Sequence, residues 1–166
     1  MAAQHHAPAD RGSRCSPRPL SVALDSERQE IVMTPEEHKA VARRFLEEVW
    51  NQQKLEAIDD VFAATVVFNG QPVARDAFRQ LVAARRAAFP DIHVTVEDQV
   101  AEGDKVSTRR TWEATHRGPY RGIAATGKRV KWSQISIVRL ADGKIVEDWA
   151  VADELSILQQ LGQSFG

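Results

Sequence analysis

A change of hydrophobic period near Pro90 constrains the fold more than any other feature of this sequence. Before Pro90, apolar side chains recur at helical spacing, as in Val41, Phe45 and Val49. After it, apolar and polar residues alternate, as in "IHVTVEDQV" (92–100), which is the period of a β-strand. A chain in which helices are followed by strands is expected to form an α+β domain.

Three helices are predicted in the first half of the domain. Thr34, Pro35 and Glu37 are typical of a helix N-terminus. A threonine N-cap and a glutamate three residues later form a capping box, and proline is favoured at the first helical position. The predicted helices span "MTPEEHKAVARRFLEEVWNQ", "KLEAIDDVFA" and "RDAFRQLVAARRAAFPD", with a short β-rich run, "TVVFNG", before the third.

The alternating pattern in the second half of the domain predicts four long antiparallel strands. Turn sequences, "EGDK" and "ADGK", separate the first strand from the second and the third from the fourth, and a Gly/Pro-containing loop lies between the second and third. The strands are predicted at 92–100, 106–116, 129–140 and 145–153, and a short helix ending at Gly162 closes the domain. The helices are expected to pack on one face of a strongly curved sheet and to leave an apolar pocket inside it.

Composition excludes several classes of function. A net charge of −1 gives no general attraction to nucleic acid or to an anionic membrane, and no apolar run has the length of a membrane span. The five histidines and the single cysteine, Cys15, show no metal-ligand spacing, so no metal is expected. Residues 1–33 lack a secretory signal pattern and are predicted to be a disordered tail before a domain at 34–166, and the protein is expected to be cytoplasmic.

The motifs "AAFPD", "TWEATHRGPYRGIAATGKRVKWSQISIVRLADGKIVEDW" and "ILQQLG" resemble the SnoaL-like polyketide cyclases, also called ester cyclases, of the NTF2-like superfamily. The resemblance covers residues 34–162. It implies a cone-shaped α+β barrel, often dimeric through the outer face of its sheet, that closes the last ring of an aromatic polyketide by an intramolecular aldol reaction. It also implies a hydrophobic small-molecule substrate, a homodimer, and neither metal nor cofactor.

The resemblance places the family's buried acid/base aspartate at Asp148, directly before Trp149. Burial raises the pKa of a carboxyl group, which suits proton transfer near neutral pH. Strand alternation puts Glu147 and Asp148 on opposite faces, but apolar residues lie on both faces of this strand, so the pattern leaves open which carboxylate faces the pocket.

Other residues are candidates for the same pocket. Gln134 matches a polar pocket position of the family, and His116, at the end of a strand, has a side chain suited to proton transfer. Arg110 lies on the more apolar side of its strand and needs a partner such as Asp98 or Asp148 if it points inward. The remaining candidates for substrate binding are Phe68, Asn69, Trp112, Tyr120 and Trp132.

Two alternatives to a cyclase remain open at this stage. Epoxide hydrolysis needs two carboxylates bridged by an arginine around a water, for which Arg110, Asp98 and Asp148 are the available residues. The domain is also compatible with a non-catalytic protein that binds a small molecule, since one fold supports many functions.

Overall fold

The computed structural model describes residues 33–164 of the chain. These residues form an α+β domain with four helices and a curved, open sheet of six strands. The helices are α1 (Pro35–Arg44), α2 (Ala57–Val61), α3 (Arg75–Ala88) and α4 (Glu154–Leu161). The strands are β1 (Phe62–Phe68), β2 (Gln71–Ala74), β3 (His93–Glu102), β4 (Lys105–Thr115), β5 (Arg129–Ala141) and β6 (Lys144–Ala152). The predicted fold class is confirmed, whereas the predicted tail lies outside the described residues except for Met33.

Helix α1 begins where its capping signals predict. The Thr34 side chain accepts a hydrogen bond from the Glu37 backbone, and the Glu37 carboxylate accepts one from the Thr34 backbone at 2.7 Å. The helix continues as a π-helical segment over Phe45–Asn51, which the sequence pattern does not distinguish from α-helix. Its apolar side chains, among them Phe45 and Val49, are buried in the core.

The sheet has the order β2-β1-β6-β5-β4-β3. The four long strands pair antiparallel as predicted, whereas β1 pairs in parallel with β6 and forms a hairpin with β2. Strand β2 was not predicted, because "QPVA" is short, contains a proline and shows no alternation. The parallel contact places Phe68 opposite Asp148 and so brings the end of β1 to the candidate acid.

The loop between β4 and β5 is fixed to the end of α3. The backbone nitrogens of Arg117 and Gly118 donate to the Ala88 carbonyl at 2.9 and 3.1 Å. A Cβ atom at Gly118 would lie 2.4 Å from the Ala87 carbonyl oxygen, so only glycine fits this close approach. This attachment holds the following residues, including Tyr120, beside the inner face of the sheet.

Candidate active site

A cavity of about 800 Å³ opens on the inner face of the sheet. Much of its wall is apolar, formed by Phe45, Trp50, Phe68, Phe78, Val82 and Trp112. The polar groups that line it are Asn69, Arg85, Arg110, Tyr120, Arg121, Gln134, Asp148 and Glu154. A largely apolar cavity with a few convergent polar groups is the usual form of a small-molecule site.

A β-bulge in β6 decides which of the two adjacent carboxylates faces this cavity. Leu140 pairs with Ile145 and Arg139 pairs with Glu147, so Val146 is an extra residue on β6. The bulge shifts the alternation by one residue, and Ile145 and Asp148 therefore both point inward. Simple alternation placed them on opposite faces, which is why the sequence pattern left the choice open.

Asp148 is held inside the protein as a poorly solvated carboxyl group. It is 3% exposed, and its Oδ1 atom has no hydrogen-bond partner among residues 33–164. Burial raises the pKa of Asp148 to about 6, and the positive charge of Arg110 opposes that rise. A carboxyl group with this pKa exchanges a proton readily near neutral pH.

Arg110 points into the same cavity from β4. Strand β4 alternates regularly, and Arg110 is 4% exposed while its neighbour Arg109 faces solvent. Burial lowers the pKa of Arg110 to about 10, and the charge of Asp148 opposes that fall, so the guanidinium stays positive at neutral pH. Its Nε atom has no hydrogen-bond partner in the described chain, and its carbon Cζ lies 5.4 Å from the centre of the Trp112 ring.

A second bulge removes Asp98 from the site. Val96 pairs with Arg110 and Asp98 with Arg109, so Glu97 is the extra residue of β3 and Asp98 is turned outward. Of the two partners considered for Arg110, Asp98 is therefore excluded, and the carboxylate that influences its charge is Asp148. The carboxylates that line the cavity in the described region are Asp148 and Glu154.

Glu147 lies on the outer face of the sheet. Its carboxylate accepts a hydrogen bond from the Trp149 indole at 2.6 Å and pairs with Arg139 at 2.9 Å. These two contacts, the Trp149 bond first, lower the pKa of Glu147. Trp149 is 50% exposed beside it and does not belong to the cavity wall.

Three further predicted residues line the cavity. Gln134 projects inward from β5, where it pairs with Arg110 on β4, and Phe68 packs near Phe78 at the end of β1. Asn69 follows β1 in a left-handed conformation (φ 46°) and exchanges side-chain hydrogen bonds with the Ala150 backbone at 2.8 and 3.2 Å. Its amide therefore links β1 to β6 and is occupied with the backbone.

The tryptophans predicted to bind substrate have different positions. Trp112 lines the cavity and stacks on Trp132, with ring centres 5.9 Å apart and planes within 2° of parallel. Trp132 does not line the cavity, because the Arg85 guanidinium and the Phe89 ring pack on it at 5.3 and 5.8 Å. Its placement differs from the prediction of direct substrate contact, and it supports the wall instead.

His116 is likewise not among the cavity residues. It is completely buried, packs on Phe89 at 5.4 Å, and its Nδ1 atom bonds with the Thr126 hydroxyl at 3.1 Å. The Thr126 backbone also donates to Nδ1, at 3.3 Å, so the proton of a neutral imidazole is on Nε2. The structure therefore corrects the prediction that His116 belongs to the pocket, because its side chain anchors the base of the loop that carries Tyr120.

A charged cluster at the mouth of the cavity was missed by sequence reasoning. Tyr120, which was predicted, donates its hydroxyl to Glu154, and the Glu154 carboxylate pairs with Arg121 at 3.2 Å and with Arg85 at 3.4 Å. Burial is the main cause that raises the pKa of Tyr120. Arg85 did carry a signal: it recurs at helical spacing after Phe78 and Val82, on the apolar stripe of α3 where a cation is unusual.

The described residues contain neither a candidate metal cluster nor a candidate membrane-spanning helix. No group of three or more histidine, cysteine, aspartate or glutamate side chains between 33 and 164 has an arrangement that would hold a metal ion. No helix in that part of the chain is long and apolar enough to cross a membrane.

The curved sheet and the helices packed on it define an NTF2-like domain, and its cavity contains a buried acid. The family model for SnoaL-like polyketide cyclases matches residues 40–161, and the chain belongs to that family. No curated protein matches the sequence significantly.

Several solved structures have the same fold. The chain is similar to AclR, a hydroxylase candidate from Streptomyces galilaeus, with 30% identity and a TM-score of 0.71 over 80% of this chain and 100% of that one. It is similar to IdmH, a candidate polyketide cyclase from Streptomyces antibioticus, with 28% identity and a TM-score of 0.68 over 76% and 99%. TsrD from Streptomyces laurentii matches with 25% identity and a TM-score of 0.72 over 78% and 98%.

Proposed function

We propose that this protein is a cofactor-independent cyclase in which Asp148 catalyses an intramolecular aldol closure of a hydrophobic carbonyl or polyketide substrate. One observation carries the proposal: a carboxyl group that is 3% exposed, with a pKa of about 6, faces a largely apolar cavity of about 800 Å³. Family membership and the similarity to IdmH support the same class of reaction.

The proposed reaction begins with proton removal. The Asp148 carboxylate takes a proton from a carbon beside one carbonyl group, and the resulting enolate carbon bonds to a second carbonyl carbon of the same molecule. The electron pair of that carbonyl moves to its oxygen, and Asp148 returns the proton to the alkoxide. The ring-closed product is therefore an isomer of the substrate, with one C–H bond exchanged for an O–H bond and a carbonyl π-bond for a C–C bond.

Arg110 is proposed to stabilise the oxygen that becomes negative. A guanidinium that is 4% exposed, and whose Nε has no partner among residues 33–164, is a strong stabiliser of an oxyanion, because little water competes with it. Arg110 also keeps the Asp148 pKa from rising further, so that a substantial fraction of the carboxyl group is ionised at neutral pH. Gln134 can donate or accept a hydrogen bond beside Arg110 but cannot transfer a proton at neutral pH.

The aromatic wall suits a flat substrate. Trp50, Phe68 and Trp112 line the cavity, and Trp132 supports Trp112 from behind by parallel stacking. Flat ring systems are bound well by such surfaces, since aromatic pairs gain about 0.5–1.5 kcal/mol beyond the burial of area.

The epoxide hydrolase alternative has less support. It requires two carboxylates around one arginine, and Asp98 is turned away from Arg110 by the bulge in β3. A binding protein without activity is the alternative that the experiment below separates from the cyclase.

The test uses synthetic aromatic compounds that carry a ketone and an activated methylene group on neighbouring side chains. We expect wild-type protein to convert at least one of them to an isomer of equal mass with a new C–C bond, detected by chromatography and carbon NMR. The Asp148→Asn variant should bind the same compound without converting it, and Arg109→Met, which removes the outward-facing arginine next to Arg110 on β4, should convert it normally. Conversion that Asp148→Asn retains contradicts the proposal, and binding without conversion by wild-type protein supports the non-catalytic alternative.

We also propose that two copies of the chain pair through the outer face of the sheet. Ile135 pairs with Val151 and Ile137 with Trp149 across β5 and β6, and all four side chains are 46–78% exposed. An exposed apolar patch formed by neighbouring strands is typical of a protein interface.

A further inference from the structure

We propose that the ligand of this cavity carries an ionised carboxylate, and that Arg85 is the residue that selects for it. The inference rests on the proposed function of the same site, because it specifies the substrate class of that site. Arg85 is proposed to bind the carboxylate at the mouth of the cavity, whereas Asp148 and Arg110 are proposed to act on the reacting carbonyl groups.

The charge of the cavity wall supports an anionic ligand. Arg85, Arg110 and Arg121 line the cavity, and Asp148 and Glu154 are its carboxylates, which leaves one excess positive charge when both acids are ionised. In addition, the charge of Arg85 lowers the pKa of Arg110, so the two guanidinium groups repel each other. An anion bound at Arg85 offsets the excess charge and weakens that repulsion.

Arg85 lies beside two aromatic rings and makes few hydrogen bonds. Its guanidinium carbon is 5.3 Å from the centre of the Trp132 ring and 5.7 Å from that of Tyr120. Its hydrogen bonding within residues 33–164 is one long bond of 3.4 Å to Glu154. The planar guanidinium therefore has donors left to bind the two oxygens of a ligand carboxylate.

Arg110 gives an independent indication that a ligand oxygen belongs in the cavity. Its side chain is almost fully buried, and Nε has no partner among the described residues. A buried charged donor without a partner is costly, so a ligand that accepts from it gains affinity. The two arginines together fit a molecule with a carbonyl group deep in the cavity and an acid group near its mouth.

Glu154 sets the strength of this selection. Its carboxylate forms ion pairs with Arg85 and Arg121 and accepts a hydrogen bond from the Tyr120 hydroxyl. It therefore competes with a ligand anion for Arg85. Replacing it with the neutral, similarly shaped glutamine should strengthen carboxylate binding, whereas a purely structural role for the cluster predicts weaker binding of every ligand.

The test measures binding of two unreactive probes, anthraquinone-2-carboxylate and anthraquinone-2-carboxamide, by calorimetry and by quenching of the tryptophans that line the cavity. For wild-type protein, we expect the carboxylate to bind about tenfold or more tightly than the carboxamide. Arg85→Met should abolish this preference without weakening carboxamide binding, and Glu154→Gln should increase it. Arg109→Met, which removes the same charge from the outer face, should leave the preference unchanged.

Several results would overturn the inference: equal affinity of wild-type protein for the two probes, no measurable binding of the carboxylate, or a preference that survives in Arg85→Met. Repeating the titrations with Asp148→Asn separates this inference from the proposed reaction. A carboxylate preference in Asp148→Asn, together with no turnover by wild-type protein on any test compound, would leave the inference standing and the cyclase proposal refuted. Turnover by wild-type protein without a carboxylate preference would refute the inference and leave the cyclase proposal standing.

Discussion

Asp148 and Arg110 face the same cavity from two strands that are separated by β5, and each changes the pKa of the other although no ion pair joins them. Both are almost fully buried, at 3% and 4% exposed. Such an arrangement leaves room for a substrate between an acid/base and a cation. It differs from a structural salt bridge, in which the two groups would satisfy each other directly.

The first prediction concerns turnover. Asp148→Asn should lower kcat by about 10²–10⁴-fold, the usual contribution of a general acid/base, because asparagine keeps the shape and loses the proton transfer. Arg110→Met should lower kcat by about 10²–10³-fold through loss of the oxyanion stabiliser. Arg109→Met is the matched control on the same strand. Steady-state kinetics on a converted substrate measure all three, and normal kcat in Asp148→Asn would remove Asp148 from the mechanism.

The second prediction concerns the pH dependence of that turnover. If the ionised form of Asp148 removes the first proton, kcat/KM should rise with pH through a midpoint of about 6 and then level off. Arg110 lowers the pKa of Asp148, so Arg110→Met should move the midpoint to higher pH while Arg109→Met leaves it in place. A profile that instead falls above pH 6 would show that the protonated carboxyl group is the form required.

The third prediction follows from the same pKa and concerns stability. The pKa of Asp148 rises from 3.8 to about 6 on folding, so the folded protein holds this proton more tightly than the unfolded chain. The associated stabilisation is fully present below pH 4 and is lost as the pH rises through 6, by about 3 kcal/mol in all.

Urea unfolding of wild-type protein and Asp148→Asn across pH 4–8 measures this loss. The difference in unfolding free energy between the two proteins should change over this range in favour of the variant as the pH rises. A difference that stays constant with pH would mean that the Asp148 pKa is the same in the folded and unfolded states.

The two bulges explain why strand alternation predicts the orientation of some site residues and not of others. The alternation of β4 correctly placed Arg110 and Trp112 inward, since that strand is regular from end to end. On β6 and β3 the extra residues Val146 and Glu97 shift the alternation by one position, which turns Asp148 in and Asp98 out. No local propensity marks either residue as a bulge, because bulges arise from the pairing of strands across the curved sheet.

Contacts between distant elements are a second reason why the sequence did not predict the whole site. Glu154 lies at the cavity because it pairs with Arg85, and α4 and α3, which carry these two residues, are far apart in the chain. His116 was predicted to belong to the pocket because it ends a strand, but its side chain bonds to Thr126 in the loop that follows. Periodicity reports which side of an element is buried, and it does not report which elements meet.

The fourth prediction concerns His116, whose structural position implies stability and not catalysis. His116→Gln should lower the free energy of unfolding by about 1–3 kcal/mol, because it disturbs a completely buried side chain bonded to Thr126. The folded variant should keep kcat within a few-fold of wild type, and Thr126→Val should lower stability in the same direction. A loss of kcat like that of Asp148→Asn in a folded His116→Gln would restore the histidine to the reaction.

The fifth prediction concerns the outer face of the sheet. Val151 is 78% exposed at the centre of the apolar patch that includes Ile135 and Trp149, so Val151→Asp should place a charge in the proposed dimer interface. We expect wild-type protein to sediment as a dimer at micromolar concentration and Val151→Asp as a folded monomer. Leu81→Asp is the control, because Leu81 is 58% exposed but lies on α3 at the cavity and not on the outer face of the sheet. A wild-type monomer, or a dimer that Val151→Asp leaves intact, would show that this face is not the interface, and the patch would then need another partner.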